Sequence, residues 1–99
     1  MSIEYDFVNC GSESGLAKLE SQLKDKLAGK DVAILINNVA EFQHQLLVNA
    51  PWNYILRASH VNAHSYAAMA RHFLPGLIAR TSDGVKSAVI NVGTCAAEP

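Results

Sequence analysis

Three short stretches of this sequence place chemically useful residues at the ends of apolar or alternating runs. Asp6 lies near the end of the first, where a carboxylate can accept hydrogen bonds from an adenine or a ribose. Asn37-Asn38-Val39-Ala40 follows the second; its small residues let the backbone approach a flat ring closely, and the asparagine amides can tie neighbouring strands together. Gly93-Thr94-Cys95 follows the third, with a hydroxyl that can donate to a carbonyl oxygen beside a thiol. No basic residue lies near Cys95 to lower its pKa, so that thiol reads as a small buried side chain at a strand end. Plainer roles stand beside the chemical ones. Asp6 can be a turn former, Thr94 an ordinary β-branched strand residue, and Asn62 a helix-face amide that bonds the backbone.

Two further patterns resemble sites and fall short. Gly11-Ser-Glu-Ser-Gly15-Leu-Ala17 follows a strand-like run and opens a helix, as a phosphate-binding loop does, but its third glycine is Ala17. It reads as a turn and helix cap, and Glu13 at its centre excludes a serine nucleophile elbow. His60 and His64 are spaced to share a metal on a helix. Val61 stands where a metalloprotease carries glutamate, and no acidic third ligand is near, so no metal site is assigned.

The elements that must position these groups alternate in type. Residues 3–8 alternate and carry Ile3, Tyr5, Phe7 and Val8, which predicts a short strand. Leu16, Leu19, Leu23 and Leu27 then form a helical stripe, with Ser14 as the N-cap, Lys24, Lys26 and Lys30 near the C-terminal end, and Gly29 as the stop. Val32-Ala33-Ile34-Leu35-Ile36 is an unbroken apolar run, the pattern of a strand buried on both faces in a parallel sheet. An irregular stretch runs to Pro51, and a long helical pattern extends from Trp52 to about Arg80. Ile55, Leu56, Val61, Tyr66, Met69, Phe73, Leu77 and Ile78 form its apolar side, and Ala63, Ala67, Ala68 and Ala70 narrow one face for close approach. Pro75 should bend this helix without ending it, because the period continues beyond it. A turn around Asp83-Gly84 leads to a buried strand over 87–92. The order strand, helix, strand, helix, strand predicts an α/β fold with a wound parallel sheet. Ligands of such sheets lie beyond the carboxyl ends of the strands, where Asp6, Asn37 to Ala40 and Thr94 all fall.

Composition narrows the function classes. The chain has 99 residues, 49% apolar and 17% charged, which fits one small domain and excludes a disordered chain. Eight basic and nine acidic residues leave a net charge of −1 and no basic stripe, so nucleic acid is not the expected partner. No apolar run reaches the roughly 18 residues of a membrane span, and the N-terminus lacks the pattern of a secretory signal. Cys10 and Cys95 make neither a disulfide framework nor a zinc spacing, consistent with reduced thiols inside a cell.

The same stretches carry a resemblance. Asp31-Val-Ala-Ile-Leu-Ile-Asn37-Asn38-Val39-Ala40 is similar to the D-x-x-x-L-x-N-N-A-G motif of the short-chain dehydrogenases/reductases. Asn62-Ala-His-Ser65 with Leu74-Pro75-Gly76-Leu77 resembles that family's central helix, N-x-x-S followed by L-P-x-M. Ala88-Val-Ile-Asn91-Val92-Gly93-Thr94 resembles its fifth strand, I-x-N-x-S-S. The N-N-V variant together with L-P-G-L is similar to the branch of 17β-hydroxysteroid dehydrogenases and very-long-chain 3-oxoacyl-CoA reductases. The resemblance implies a partial Rossmann-like sheet, residues 1–99 forming a single partial domain that runs from the family's third strand to its fifth. It also implies an NADP- or NAD-dependent oxidoreductase that interconverts ketone and alcohol on a steroid or long-chain acyl substrate. Asp6 would then sit in the adenine pocket, Asn37, Asn38, Val39 and Ala40 along the cofactor, Asn62 in a proton relay through a water, and Thr94 at the position of the catalytic serine.

Four departures qualify that expectation. Ala40 replaces the motif glycine, and Gly93-Thr94 replaces Ser-Ser, which keeps a donor hydroxyl but fixes its rotamer. No G-x-x-x-G-x-G follows a strand, and no Y-x-x-x-K occurs: Asn9, Ala58 and Ala70 stand four residues after Tyr5, Tyr54 and Tyr66. In the family a tyrosine protonates the carbonyl oxygen and a lysine lowers its pKa. The expectation is therefore a central fragment of such an enzyme, inactive by itself and binding no cofactor tightly, with a non-catalytic α/β remnant or assembly module as the alternative. Open strand edges and the alanine-rich helix further predict a homo-oligomer or strand exchange between copies. The expected location is cytoplasmic or, by the resembling branch, associated with the endoplasmic reticulum.

Overall fold

A computed structural model describes residues 7, 12–42 and 46–94. Asp6 and Cys95 lie outside the described residues, as does most of the strand expected over 3–8. Phe7, the one described residue of that stretch, is in a 3-10 turn.

Helix α1 runs from Glu13 to Leu27. Its N-cap is Ser12, not the expected Ser14: the extended backbone of Ser12 lets its Oγ accept from the Gly15 N–H at 3.1 Å, whereas Ser14 already lies in the first turn. Glu13 at the start and Lys24 and Lys26 at the end complement the helix dipole. Lys24 sits 3.2 Å from Glu20 one turn earlier, and its hydrogen bond holds the Glu20 carboxyl below the usual carboxylate range. The chain leaves the helix through Gly29, whose φ of 73° is open to glycine at no steric cost. Of the leucine stripe, Leu19 and Leu23 are buried and Leu27 is half-buried, while Leu16 stays at the margin.

Strands β1 (Ile34–Asn37) and β2 (Ala88–Asn91) pair in parallel, with Ile34 opposite Ala88 and Asn37 opposite Asn91. The expected α/β fold with a parallel sheet is present. Its strands are not buried on both faces, however. Leu35 and Asn37 are 7% and 5% exposed, whereas Ile34 and Ile36 on the opposite face are 56% and 59% exposed, and β2 is exposed throughout. The helix α3 packs on both strands, and among the described residues no element covers the Ile34–Ile36–Ile90 face. An apolar run records readiness for two covered faces; one layer of helix supplies only one.

The crossover from β1 to β2 is one long helical path in three parts. Helix α2 (Trp52–Ser59) passes into a π-turn (His60–His64) and then into helix α3 (Ser65–Ser82). The π-turn was not expected from the apolar spacing. It widens the helix by one residue, so that the Ser65 N–H bonds the His60 carbonyl. Val61, Ser65 and Leu77 face the core. Ser65 is 1% exposed, and its hydroxyl donates to the Val61 carbonyl at 2.5 Å, so a small polar side chain is buried with its partner. Helix α3 continues through Pro75, as expected, at the loss of one backbone donor. It ends in a Schellman turn: the Val85 N–H bonds Arg80 O and the Gly84 N–H bonds Thr81 O, both at 3.0 Å, with Gly84 at φ 73°. Arg80 then links the two strand entries, donating to Ser87 at 3.0 Å and pairing with Asp31. No helix among the described residues is long and apolar enough to cross a membrane.

Candidate functional site

Parallel register brings the ends of β1 and β2 level, and the two asparagines there hold each other. Asn37 Nδ2 donates to Asn91 Oδ1 at 2.8 Å, and the Val92 N–H extends the ladder to Asn37 O at 2.9 Å. A buried amide without partners costs about 1–3 kcal/mol, so this pair fixes which way Asn37 points. The Asn37 amide ties the two strands together, as its type suggested, whereas Asn38 is exposed.

Beyond the strand ends, two side chains from the crossover helix brace the loops. Asn62, in the π-turn, accepts from the Glu41 N–H at 2.8 Å and donates to the Glu41 carbonyl at 2.9 Å. Both ends of its amide are thus engaged on one backbone residue. Glu41 carries its carboxylate to Arg57 of α2 at 2.6 Å, so the loop after β1 is held from two turns of the helical path. The Tyr66 hydroxyl, one turn after Asn62, lies 3.0 Å from Val39 O and 3.2 Å from Val92 O. A half-buried phenol needs an acceptor for its proton, and here it finds the loops after both strands.

Asn37, Val39 and Asn62 are therefore brought into one braced region. Asn38 and Ala40 are exposed on the same loop, and Thr94 is exposed two residues beyond Val92. Asp6 falls outside the described residues. Glu41, Arg57 and Tyr66 were not expected from the sequence as site residues. Tyr66 offered a signal, since a tyrosine on an otherwise apolar helix face brings a hydroxyl that must be satisfied. Chemically, the exposed Asn38 amide at the strand ends suits hydrogen bonding to a flat polar ligand. The Tyr66 proton is directed at carbonyl oxygens, not poised beside a lysine. His60 and His64 stack with ring centroids 5.2 Å apart, and no cluster of three or more metal-ligating side chains occurs among the described residues. A groove of about 630 Å³ lies elsewhere, between α1 and α3, lined by Leu16, Leu19, Glu20, Ala67, Ala68 and Arg71. It shares no residue with the strand ends.

No family model matches the sequence, and comparison with curated proteins finds no match. Solved structures do match. The NADH-dependent reductase A1-R′, responsible for alginate metabolism, superposes with a TM-score of 0.73 at 26% identity, over 97% of this chain and 38% of the reductase. The same reductase complexed with NAD gives a TM-score of 0.72 at 26% identity, over 97% of this chain and 39% of that one. The fold of this chain matches the superposed part of that reductase. A bulky-bulky ketone specific alcohol dehydrogenase from Comamonas testosteroni shares it, with a TM-score of 0.63 at 24% identity over 94% of this chain and 33% of its own. This Rossmann-like likeness supports the family resemblance drawn from the motifs, and the chain spans well under half the length of these enzymes.

Proposed function

We propose that this chain supplies the middle of a nicotinamide-dependent oxidoreductase of the short-chain dehydrogenase/reductase family. The observation that carries the reading is the level ending of β1 and β2. It sets the Asn37–Ala40 loop beside the Gly93–Thr94 loop at one sheet edge. Asn37 holds the strand ends together through Asn91 and so sets the start of the cofactor-side loop. Val39, Ala40 and the exposed Asn38 offer backbone and amide groups to the ribose and nicotinamide side of the cofactor, and Thr94 offers its hydroxyl to a substrate carbonyl. Asn62 acts by positioning, fixing the loop through Glu41. Asp6 is assigned to the adenine end on the family resemblance alone.

These groups fit the nicotinamide half of NAD or NADP. This sequence contains no G-x-x-x-G-x-G to grip a pyrophosphate, so the hold on the whole cofactor is weak. A bound nicotinamide supplies the hydride in such chemistry. Proton donation to the carbonyl oxygen has no candidate here, because Y-x-x-x-K is absent and the Tyr66 proton is engaged by backbone carbonyls. We therefore assign no turnover to this chain alone. The N-N-V and L-P-G-L variants favour a steroid or long-chain acyl ketone/alcohol pair as the substrate class.

A second reading, a non-catalytic assembly module, draws support from the engaged Asn62 amide and the exposed Ile34, Ile36 and Ile90. That apolar face and the open strand edges also favour pairing with a second copy. Titration with NADH and NADPH, alongside an assay of ketone reduction, tests the main reading. It expects binding only in the millimolar range and no turnover. No binding at any concentration favours the assembly module; micromolar saturation or turnover contradicts the assigned inactivity.

A further inference from the structure

We infer that Tyr66 is a positioning residue that clamps the two ligand-facing loops to each other; the inference rests on the cofactor reading above. The backbone ladder between β1 and β2 closes with the Val92 N–H on Asn37 O. Beyond the ladder, the carbonyls of Val39 and Val92 both come within hydrogen-bonding distance of one phenol oxygen. That oxygen is delivered from the start of α3, one turn after Asn62, which the π-turn places on Glu41. A hydroxyl has one proton, so Tyr66 serves the two carbonyls in a three-centre or alternating arrangement. Each loop is then correctly placed only while the other is. No charge is involved, and Phe at this position keeps the ring and removes the link alone.

The functional consequence concerns preorganisation. A cofactor that touches both the Asn37–Ala40 and Gly93–Thr94 loops binds more tightly when their separation is already set. Losing the hydroxyl should weaken NADH binding about fivefold, which corresponds to about 1 kcal/mol.

The test uses the full chain, isotopically labelled, with NADH as the probe. In Tyr66→Phe the carbonyl-carbon resonances of Val39 and Val92 are expected to move upfield together, while the melting temperature changes little. Incorporation of 3-fluorotyrosine, a stronger donor, should move both resonances downfield, and it keeps the clamp testable if the Phe variant does not fold. A shift at one carbonyl only, or at neither, overturns the clamp. NADH affinity, read from loop resonances at millimolar ligand, should fall about fivefold in the Phe variant. Equal affinity in both proteins overturns the positioning role and leaves the cofactor reading intact. No NADH response in the native chain overturns both, with the carbonyl shifts still deciding whether the loops are joined.

Discussion

Removing the exposed partner of a buried amide separates an interaction from the burial around it. Asn91 is exposed, and substitutions at exposed positions usually change stability by less than about 0.5 kcal/mol. Its Oδ1, however, accepts from the Nδ2 of Asn37, which is 5% exposed. Asn91→Ala leaves that donor buried without its acceptor, so we expect a loss of about 1–3 kcal/mol. In a domain of this size each kcal/mol corresponds to roughly 4–8 °C in melting temperature. The companion variant Asn37→Leu with Asn91→Ala removes donor and acceptor together and should recover much of the loss, since nothing polar is then stranded. Urea denaturation of the native, single and double variants measures both values, with an unchanged slope confirming that only stability moved. An Asn91→Ala protein as stable as the native chain would mean that Asn37 has another partner and that the Asn91 bond contributes nothing.

The α1 cap discriminates between two serines: Ser12→Ala should cost about 1 kcal/mol and Ser14→Ala almost nothing, in the same denaturation assay. Asn62→Ala should speed hydrogen exchange at the Glu41 amide and destabilise the chain by about 1 kcal/mol, while Asn62→Asp retains the acceptor but sets a charged oxygen against the Glu41 carbonyl and should destabilise at least as much. If a second copy covers the exposed sheet face, Ile36→Glu should shift size-exclusion elution toward the monomer, and dilution of the native chain should do the same. A native chain that elutes as a monomer at every concentration contradicts that assembly.

Much of the architecture was legible because the patterns have strong physical causes. Leu19 and Leu23 sit one helical turn apart with lysines opposite, and only a helix buries both. The apolar runs before Asn37 and Asn91 are rich in β-branched residues and too short for helices, and both became strands. Other features depend on tertiary geometry that residue type does not encode. Ser12 and Ser14 are equally good caps by chemistry, and the backbone at Ser12 decides between them. The π-turn at 60–64 inserts one residue into a period that tolerates it, placing Asn62 opposite Glu41, and no spacing rule marks the insertion beforehand. Ile34 and Ile36 show the limit of reading burial from apolarity, for they are exposed where a second helical layer would lie. At the strand ends, the role of Asn37 as a tie follows from its amide, whereas Tyr66 falls on an apolar helix face in the sequence and only the fold sets its hydroxyl between two carbonyls.

The most direct measurement is a residue-resolved map of amide shifts in the labelled chain as NADH is added to millimolar concentration. The account expects one contiguous set of moving resonances, Asn38 to Ala40 together with Gly93 and Thr94, with α1 unaffected. Shifts gathered instead on Leu16, Ala67 and Arg71 in the helical groove, or no shifts at all, would contradict it.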